Sequence, residues 1–128
     1  MNLRPSKITF YRLLNYCIST QGKSRTVLDF ACADGKNKKL FKDFIYTGVD
    51  VNNALIESNN KLYKSDKIQF LQSDIMKISE ELKSLHFDFV VSTHTLSWIE
   101  DPDNKKLALS NLVDLVSKEG ALLVQTCG

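Results

Sequence analysis

The chain has 128 residues, of which 43% are hydrophobic and 25% are charged, and its formal net charge at pH 7 is +2. This composition is typical of one globular domain, and the charge is too small to favour a nucleic-acid or membrane-surface partner. The three cysteines lack metal-ligand spacing, which favours a reduced, cytoplasmic protein with neither a disulfide scaffold nor a metal site. No apolar run approaches the roughly twenty residues of a membrane span, and we expect neither a span nor a secretory leader.

The first part of the chain predicts a helix, a strand, a turn and a second helix. Residues 6–21 carry a helical apolar stripe. A short apolar run over 26–28 predicts a buried parallel strand, which ends at Asp29. Small residues over 30–35 predict a tight turn, and residues 36–44 predict a helix. A strand, a small-residue turn and a helix in this order are typical of a nucleotide-type pocket.

The rest of the chain continues the alternation of strand and helix. Further strands are predicted over 45–50, 68–71, 87–91 and 121–126. This alternation predicts an α/β fold with a doubly wound, parallel five-stranded sheet flanked by helices.

The helices between these strands are predicted from caps and apolar faces. Asn52 or Asn53 can cap a helix, and residues 77–85 are weakly helical. Pro102 suits the first turn of a last helix, which Gly120 is expected to end. In the first of these helices the predicted buried residues are Leu55, Ile56, Leu62 and Tyr63. In the last helix they are Leu109, Leu112, Val113 and Val116.

Polar side chains fall at or just past the ends of four predicted strands. They are Asp29, Asp50, Asp74 and Ser92. Ligands of parallel sheets bind outside the carboxyl ends of the strands, at the switch point of the strand order. These four residues are therefore predicted to border one ligand site.

The chemistry of these positions suits an adenosyl group. Asp50 can accept hydrogen bonds from vicinal ribose hydroxyls, and Asp74 can accept one from an adenine amino group. Val51 and Ile75 can enclose a flat base between them. Asp29 can orient the turn or attract an ammonium or sulfonium group. Each acid alone is equally consistent with a turn or cap residue, so the prediction depends on their joint placement.

Five stretches follow one another along the chain: residues 27–35, 46–51, 70–75, 87–92 with 96–99, and 120–124. In this order they resemble the motifs of the class I S-adenosylmethionine-dependent methyltransferases. The resemblance implies a Rossmann-like sheet, S-adenosyl-L-methionine as the cofactor and methyl transfer as the reaction. The cofactor-binding residues that it implies, together with the reasoning above, are Asp29, Ala31, Cys32, Ala33, Gly35, Asp50, Val51, Asp74, Ile75 and Ser92.

The first and fourth motifs depart from the family's pattern. Ala31 and Ala33 stand where the family has glycines, and only Gly35 remains. Alanine is small and adopts negative φ, so we expect the turn to remain compatible with a cofactor, although each methyl group crowds it. Trp98 is expected to be a hydrophobic wall. His94 follows the fourth strand and is the candidate for proton transfer.

The sequence stops at Gly128, directly after the fifth predicted strand. The family's sheet continues with two more strands, so the apolar fifth strand is expected to form an open edge. The chain is either a fragment of a longer protein, a protein whose edge a partner chain or second copy covers, or a small relative that no longer catalyses. We predict one domain over 1–128, with a cofactor-binding core over 25–128.

The predicted function is methyl transfer from S-adenosyl-L-methionine to a small-molecule acceptor. The alternative is a cofactor-binding or scaffold module without turnover, which the two alanines and the missing strands favour. A nicotinamide-dependent oxidoreductase is disfavoured because the G-x-G-x-x-G fingerprint is absent.

Overall fold

The structure is a computed structural model that describes residues 25–93 and 95–125, together with Arg12, Tyr16 and Ser19. These three isolated positions are helical, and the rest of the predicted helix over 6–21 lies outside the described residues. No helix in the described part of the chain is both long enough and apolar enough to cross a bilayer.

Five parallel strands form one sheet, as predicted. They are β1 (Thr26–Phe30), β2 (Ile45–Asp50), β3 (Ile68–Gln72), β4 (Phe87–Thr93) and β5 (Val116–Gln125). Their order in the sheet is β3-β2-β1-β4-β5, and β1 pairs with both β2 and β4. The strand order therefore reverses between β1 and β4, which confirms a doubly wound sheet. Its switch point lies at the carboxyl ends of these two strands.

Three α-helices and two 3-10 helices connect the described strands. They are α1 (Asn53–Tyr63), α2 (Glu80–Lys83) and α3 (Pro102–Asp114), with 3-10 helices over Lys36–Phe41 and Leu96–Trp98. Asn52 caps α1, since its side-chain oxygen accepts a hydrogen bond from the Leu55 N–H at 3.2 Å. Asp101 caps α3, and Pro102 occupies the first turn of that helix, as its sequence predicts.

A separate apolar core lies on each face of the sheet. In β1, Leu28 packs in the core that contains Leu112 of α3, whereas Val27 packs in the core that contains Phe41 and Phe89. Successive residues of a strand point to opposite faces of the sheet. Because both faces are covered by a core, both Val27 and Leu28 are fully buried. This double burial explains why the first strand contains a continuous apolar run rather than an alternating pattern.

Two predicted helices are shorter than the sequence indicated. Residues 36–44 contain a 3-10 helix of only six residues, and Gly35 at its start offers no side-chain cap. Residues 77–85 contain the four-residue helix α2, whose cap is Ser79. The hydroxyl of Ser79 accepts a hydrogen bond from the Leu82 N–H at 3.3 Å.

The buried face of α1 differs from the prediction. Ile56 is buried as expected, whereas Leu62 is 68% exposed. Asn59, which lies outside the predicted apolar face, is only 3% exposed. Its side-chain amide donates a hydrogen bond to the carbonyl oxygen of Ala33 at 2.7 Å. A buried polar contact, rather than the apolar stripe alone, therefore sets the orientation of this helix.

The buried face of α3 is also rotated from the prediction. The helix buries Ala108 and Leu112, whereas Leu109 and Val113 are half exposed. Leu112 is buried as predicted, whereas Leu109 and Val113 each follow a buried residue by one position, which moves a side chain by about 100° around a helix. The sequence therefore locates this helix and part of its packed face.

The start of β5 corrects the predicted role of Gly120. β5 begins at Val116, so Val116 is a strand residue and Gly120 lies inside the strand. A Cβ at Gly120 would lie 2.7 Å from the carbonyl oxygen of Asp88. The register of β4 and β5 shifts between Phe87 and Phe89. The glycine is therefore required by the close approach of two strands rather than by the end of a helix.

Gly48 in β2 gives a test of how tightly this core is packed. A Cβ at Gly48 would lie 2.7 Å from Cδ1 of Phe70 and 3.0 Å from Sγ of Cys32. We expect Gly48→Ala to lower the free energy of unfolding by about 1–3 kcal/mol through overpacking, as measured by urea denaturation. In a Phe70→Leu background the same alanine should destabilise less. Equal losses in the two backgrounds would contradict this explanation.

Candidate functional site

A cleft of about 560 Å³ lies at the carboxyl ends of the central strands. Six of the residues predicted to bind a cofactor line it: Ala31, Cys32, Ala33, Asp50, Asp74 and Ile75. They come from the ends of β1, β2 and β3, so the switch point of the sheet brings them together. The volume is within the range of about 300–1,000 Å³ that is usual for small-molecule sites.

The other four predicted residues lie around the cleft without lining it. Asp29 and Ser92 are fully buried within β1 and β4. Gly35 is buried at the start of the first 3-10 helix, against Phe70. Val51 is 61% exposed, so the prediction that it encloses a base together with Ile75 finds no support in its position.

The turn after β1 has an unusual backbone. Ala31, Ala33 and Gly35 have φ values of 65°, 49° and 77°, all in the left-handed region. The expectation that the two alanines adopt negative φ is therefore wrong. The turn retains a backbone shape that glycine adopts without strain, although two of its three left-handed positions carry a methyl group.

Asp50 fastens this turn to the end of β2. One carboxylate oxygen of Asp50 accepts a hydrogen bond from the Ala33 N–H at 2.9 Å. The other accepts a hydrogen bond from the Asn52 N–H at 3.0 Å. Asp50 therefore positions the turn as well as facing the cleft.

Asp74 and Ile75 border the opposite side of the cleft, after β3. Asp74 is exposed, and its carboxylate accepts a hydrogen bond from the Met76 N–H at 2.9 Å. The carbonyl oxygen of Ile75 accepts a hydrogen bond from the side chain of Asn111 on α3 at 2.7 Å. Both ends of the cleft are thus fixed to the helices that flank the sheet.

Several residues that line the cleft are absent from the sequence-based prediction. Thr93 is the last residue of β4, Thr95 follows that strand, and Asn37 lies in the first 3-10 helix. Trp98, predicted as a hydrophobic wall, lines the cleft while being 83% exposed, so it lies at the mouth. The threonines carry no distinctive signal in the sequence beyond their place after a strand end.

Two hydroxyl groups near the cleft lack hydrogen-bond partners among the described residues. They are the buried side-chain oxygens of Ser92 and Thr95. Buried polar atoms are normally paired, so these positions are suited to a bound polar ligand or to water. His94, the candidate for proton transfer, lies outside the described residues. Among residues 25–93 and 95–125, no three His, Cys, Asp or Glu side chains are close enough together to hold a metal ion.

The family model described as a methyltransferase domain matches residues 28–124, from β1 to β5. The chain belongs to the methyltransferase domain family. This match confirms the resemblance to class I methyltransferases drawn from the sequence motifs, and the five-stranded sheet is that family's Rossmann-like core.

Known methyltransferases are similar to this domain in sequence. The juvenile hormone acid O-methyltransferase of Bombyx mori is 29% identical over 109 residues, a match that covers 80% of this chain and 38% of that enzyme. The N-methyltransferase NodS from Bradyrhizobium japonicum WM9, solved with S-adenosyl-L-homocysteine, is 25% identical. Its TM-score is 0.73, with 93% of this chain and 61% of that chain covered.

A more distant structure shows the fold alone. CalS10 from Micromonospora echinaspora, an amino pentose methyltransferase solved with S-adenosylmethionine, has a TM-score of 0.77 at 12% identity. The match covers 98% of this chain and 52% of that chain. The methyltransferase domain described here therefore spans less than two thirds of each of these three relatives.

Beneath the cleft of the methyltransferase domain, Asp29 is a buried carboxylate. One of its oxygens accepts a hydrogen bond from the hydroxyl of Tyr46 at 2.5 Å, and the other has no partner among the described residues. Burial raises the pKa of Asp29 to about 6, because the effect of desolvation exceeds the opposing effects of the Tyr46 hydroxyl and the Asn37 side chain. Burial, together with nearby Asp29 and Asp50, also raises the pKa of Cys32. The Cys32 thiol is therefore protonated at neutral pH and is unsuited to act as a nucleophile.

The raised pKa of Asp29 makes stability depend on pH in a definite direction. The folded state binds the proton more tightly than the unfolded chain, so this contribution to stability is fully present below pH 3.8 and is lost as the pH rises through about 6. The difference between the two pKa values corresponds to roughly 3 kcal/mol.

Asp29→Asn should remove this dependence. We expect the stability of the variant relative to wild type to increase by roughly 2 kcal/mol between pH 4 and pH 7, as measured by urea unfolding at a series of pH values. The comparison of the two proteins at each pH cancels the titration of groups that do not interact with Asp29. A stability difference that stays constant with pH would show that Asp29 does not titrate in this range.

Proposed function

We propose that this domain binds S-adenosyl-L-methionine in the cleft and transfers its methyl group to a small-molecule acceptor. The observation that carries the proposal is the cleft itself. It brings Asp50, Asp74 and the left-handed turn over 31–35 together at the switch point of the sheet. The membership in the methyltransferase domain family supports the same reaction.

The residues of the cleft fit the chemistry of this cofactor. Asp50 is suited to the ribose hydroxyls and Asp74 to the adenine amino group, since carboxylates accept hydrogen bonds from both. The apolar side chain of Ile75 offers a surface to the flat base. The turn with Ala31 and Ala33 offers close access to backbone groups, which suits the methionine part of the cofactor.

The cofactor, when bound, supplies a methyl group on a sulfonium that is reactive towards nucleophiles. The chain's own residues bind and orient the reactants, and holding the acceptor in line with the methyl group is enough for much of the rate enhancement. Thr95 and Trp98 line the cleft beyond the strand ends and are placed to contact an acceptor. His94, as predicted from its place after β4, is proposed to accept a proton from an acceptor that must lose one.

A small-molecule acceptor is favoured over a macromolecule. The juvenile hormone acid O-methyltransferase of Bombyx mori, a relative in sequence, is named for a small-molecule acceptor. The net charge of +2 gives no field that would attract nucleic acid. The exposed ring of Trp98 at the mouth of the cleft suits an acceptor with an apolar portion.

The outer edge of the sheet is proposed to be covered by another chain segment, a partner chain or a second copy. β5 is the last strand on its side of the sheet among the described residues and runs over ten residues. Leu122 and Val124 of this strand are only partly buried. Long apolar edges are generally protected in stable proteins, which supports a covering partner.

A cofactor-binding module without turnover remains the second candidate. The observation that favours it is the pair of methyl groups on Ala31 and Ala33, which border the cleft. Methyl transfer from labelled S-adenosyl-L-methionine to a panel of small carboxylic acids and amines distinguishes the two. Binding without transfer by the full-length protein would favour the module.

Trp98 provides a direct test of ligand binding, because it is the only tryptophan in the chain and lines the cleft. We expect S-adenosyl-L-homocysteine to change the fluorescence of Trp98 in a saturable way. NADH at equal concentration should lower the fluorescence only by absorbing light, to the same extent as it does for free N-acetyltryptophanamide. Calorimetry of the same mixtures gives the affinity independently. Binding of NADH alone, or of neither ligand, would refute the proposed cofactor.

The carboxylate of Asp50 is expected to contribute strongly to this affinity. Asp50→Asn should weaken binding of S-adenosyl-L-homocysteine by about 1–3 kcal/mol, since hydrogen bonds to a charged group are lost. Asp66→Asn is a matched control, because it makes the same change at an exposed carboxylate that does not line the cleft. An equal dissociation constant for wild type and Asp50→Asn by calorimetry would remove Asp50 from the site.

A further inference from the structure

We propose that Asn59 of α1 is a positioning residue for the cofactor, acting through the backbone of Ala33. The inference rests on the proposed function, since it assigns a role in binding S-adenosyl-L-methionine to a residue that does not line the cleft. Its basis is the pair of hydrogen bonds that hold Ala33 from opposite sides.

The side chain of Asn59 is buried and hydrogen-bonds to the backbone of Ala33. Its side chain is 3% exposed, and its Nδ2 donates to the carbonyl oxygen of Ala33 at 2.7 Å across 26 residues of sequence. Burying an amide is unfavourable unless the amide is hydrogen-bonded, and an apolar residue would fill a helix position of this kind more readily. The polar side chain is therefore explained by its partner in the turn.

Ala33 needs such a partner because its own side chain cannot hold it in place. The methyl group of Ala33 is exposed, and its φ of 49° is one that alanine rarely adopts. Its N–H donates to Asp50 at 2.9 Å, and its carbonyl accepts from Asn59. The two contacts fix the peptide groups on both sides of the residue and so keep it left-handed.

The neighbouring residue makes the support rigid. The side chain of Asn60 accepts a hydrogen bond from the Phe70 N–H at 3.0 Å and donates to the Phe70 carbonyl at 2.9 Å. The ring of Phe70 in turn packs under Gly35, where a Cβ would lie 3.1 Å from it. Asn60 thus fastens α1 to β3, while Asn59 fastens the same helix to the turn.

The test is a double-mutant cycle between Asn59 and Ala33, read as the dissociation constant of S-adenosyl-L-homocysteine. Asn59→Ala should weaken binding about fivefold, as expected for the loss of one hydrogen bond that keeps the turn in shape. In the Ala33→Gly background the loss should fall below about twofold, because glycine adopts positive φ without support. Urea unfolding of the ligand-free proteins should show the same coupling.

Asn60→Ala is the matched control. It removes two hydrogen bonds from the same helix, one residue away, but none to the turn. It is expected to lower stability and to change the dissociation constant by the same factor in both backgrounds. A merely structural role of Asn59 would give that same pattern, with no rescue by Ala33→Gly.

The outcomes separate this inference from the proposed function. Rescue of Asn59→Ala by Ala33→Gly, without rescue of Asn60→Ala, supports the positioning role. Equal effects of Asn59→Ala in both backgrounds, or no effect, overturn it while leaving the cofactor in place. If the wild-type chain fails to bind S-adenosyl-L-homocysteine, the proposed function fails and the positioning role with it.

Discussion

The turn between β1 and the first 3-10 helix constrains the whole cleft, because the chain reverses there through three residues with positive φ. For Ala31 and Ala33 this conformation costs roughly 1 kcal/mol each relative to glycine. At Ala33 the N–H donates to Asp50 and the carbonyl oxygen accepts from Asn59, and these two hydrogen bonds contribute roughly 1 kcal/mol each and offset that cost. The shape of the turn is therefore determined by contacts with β2 and α1 rather than by the intrinsic preference of its own residues.

Asp50 shows how one side chain serves both the fold and the site. The sequence leaves two interpretations open, a turn residue or a ligand for ribose. In the structure each carboxylate oxygen accepts one backbone N–H, from Ala33 and from Asn52. A carboxylate offers about four acceptor positions, so two remain for ligand hydroxyls. The two interpretations are therefore compatible, and the structural contacts hold the carboxylate in a fixed orientation at the cleft.

Much of the fold follows from local features of the sequence. Buried parallel strands appear as short apolar runs, and each is followed by a polar residue at the edge where ligands bind, as at Asp50 and Asp74. Asn52 and Pro102 mark the starts of α1 and α3 with the side chains that helix starts favour. These signals require no knowledge of distant contacts, which is why they predict the parallel sheet and the starts of these two helices correctly.

The wrong predictions discussed next have a common cause, since each concerns a residue whose place depends on a contact far along the chain. Apolar periodicity places Leu62 inside, because it cannot register that Asn59 has a buried partner 26 residues earlier. The same reasoning treats Gly120 as the end of a helix, although the backbone of Asp88 requires that glycine within a strand. The positive φ of Ala33 cannot be predicted from the sequence either, since alanine gives no local signal for it. What the sequence does not reveal is how tertiary contacts override local preference.

Asp29, which is predicted to belong to the site, is buried within β1 and does not line the cleft. Its carboxylate is fully buried, and among the described residues it has a hydroxyl partner in Tyr46 but no cation in a salt bridge. Near neutral pH most of it is ionised, since its pKa of about 6 lies below 7. A buried negative charge without a cationic partner destabilises the domain and attracts positive charge. The proposed cofactor carries a sulfonium and an ammonium group, so its binding would stabilise the ionised form and, by linkage, lower the pKa of Asp29. Under the proposed function, the burial that destabilises the ligand-free domain is therefore expected to contribute to affinity for a cationic ligand.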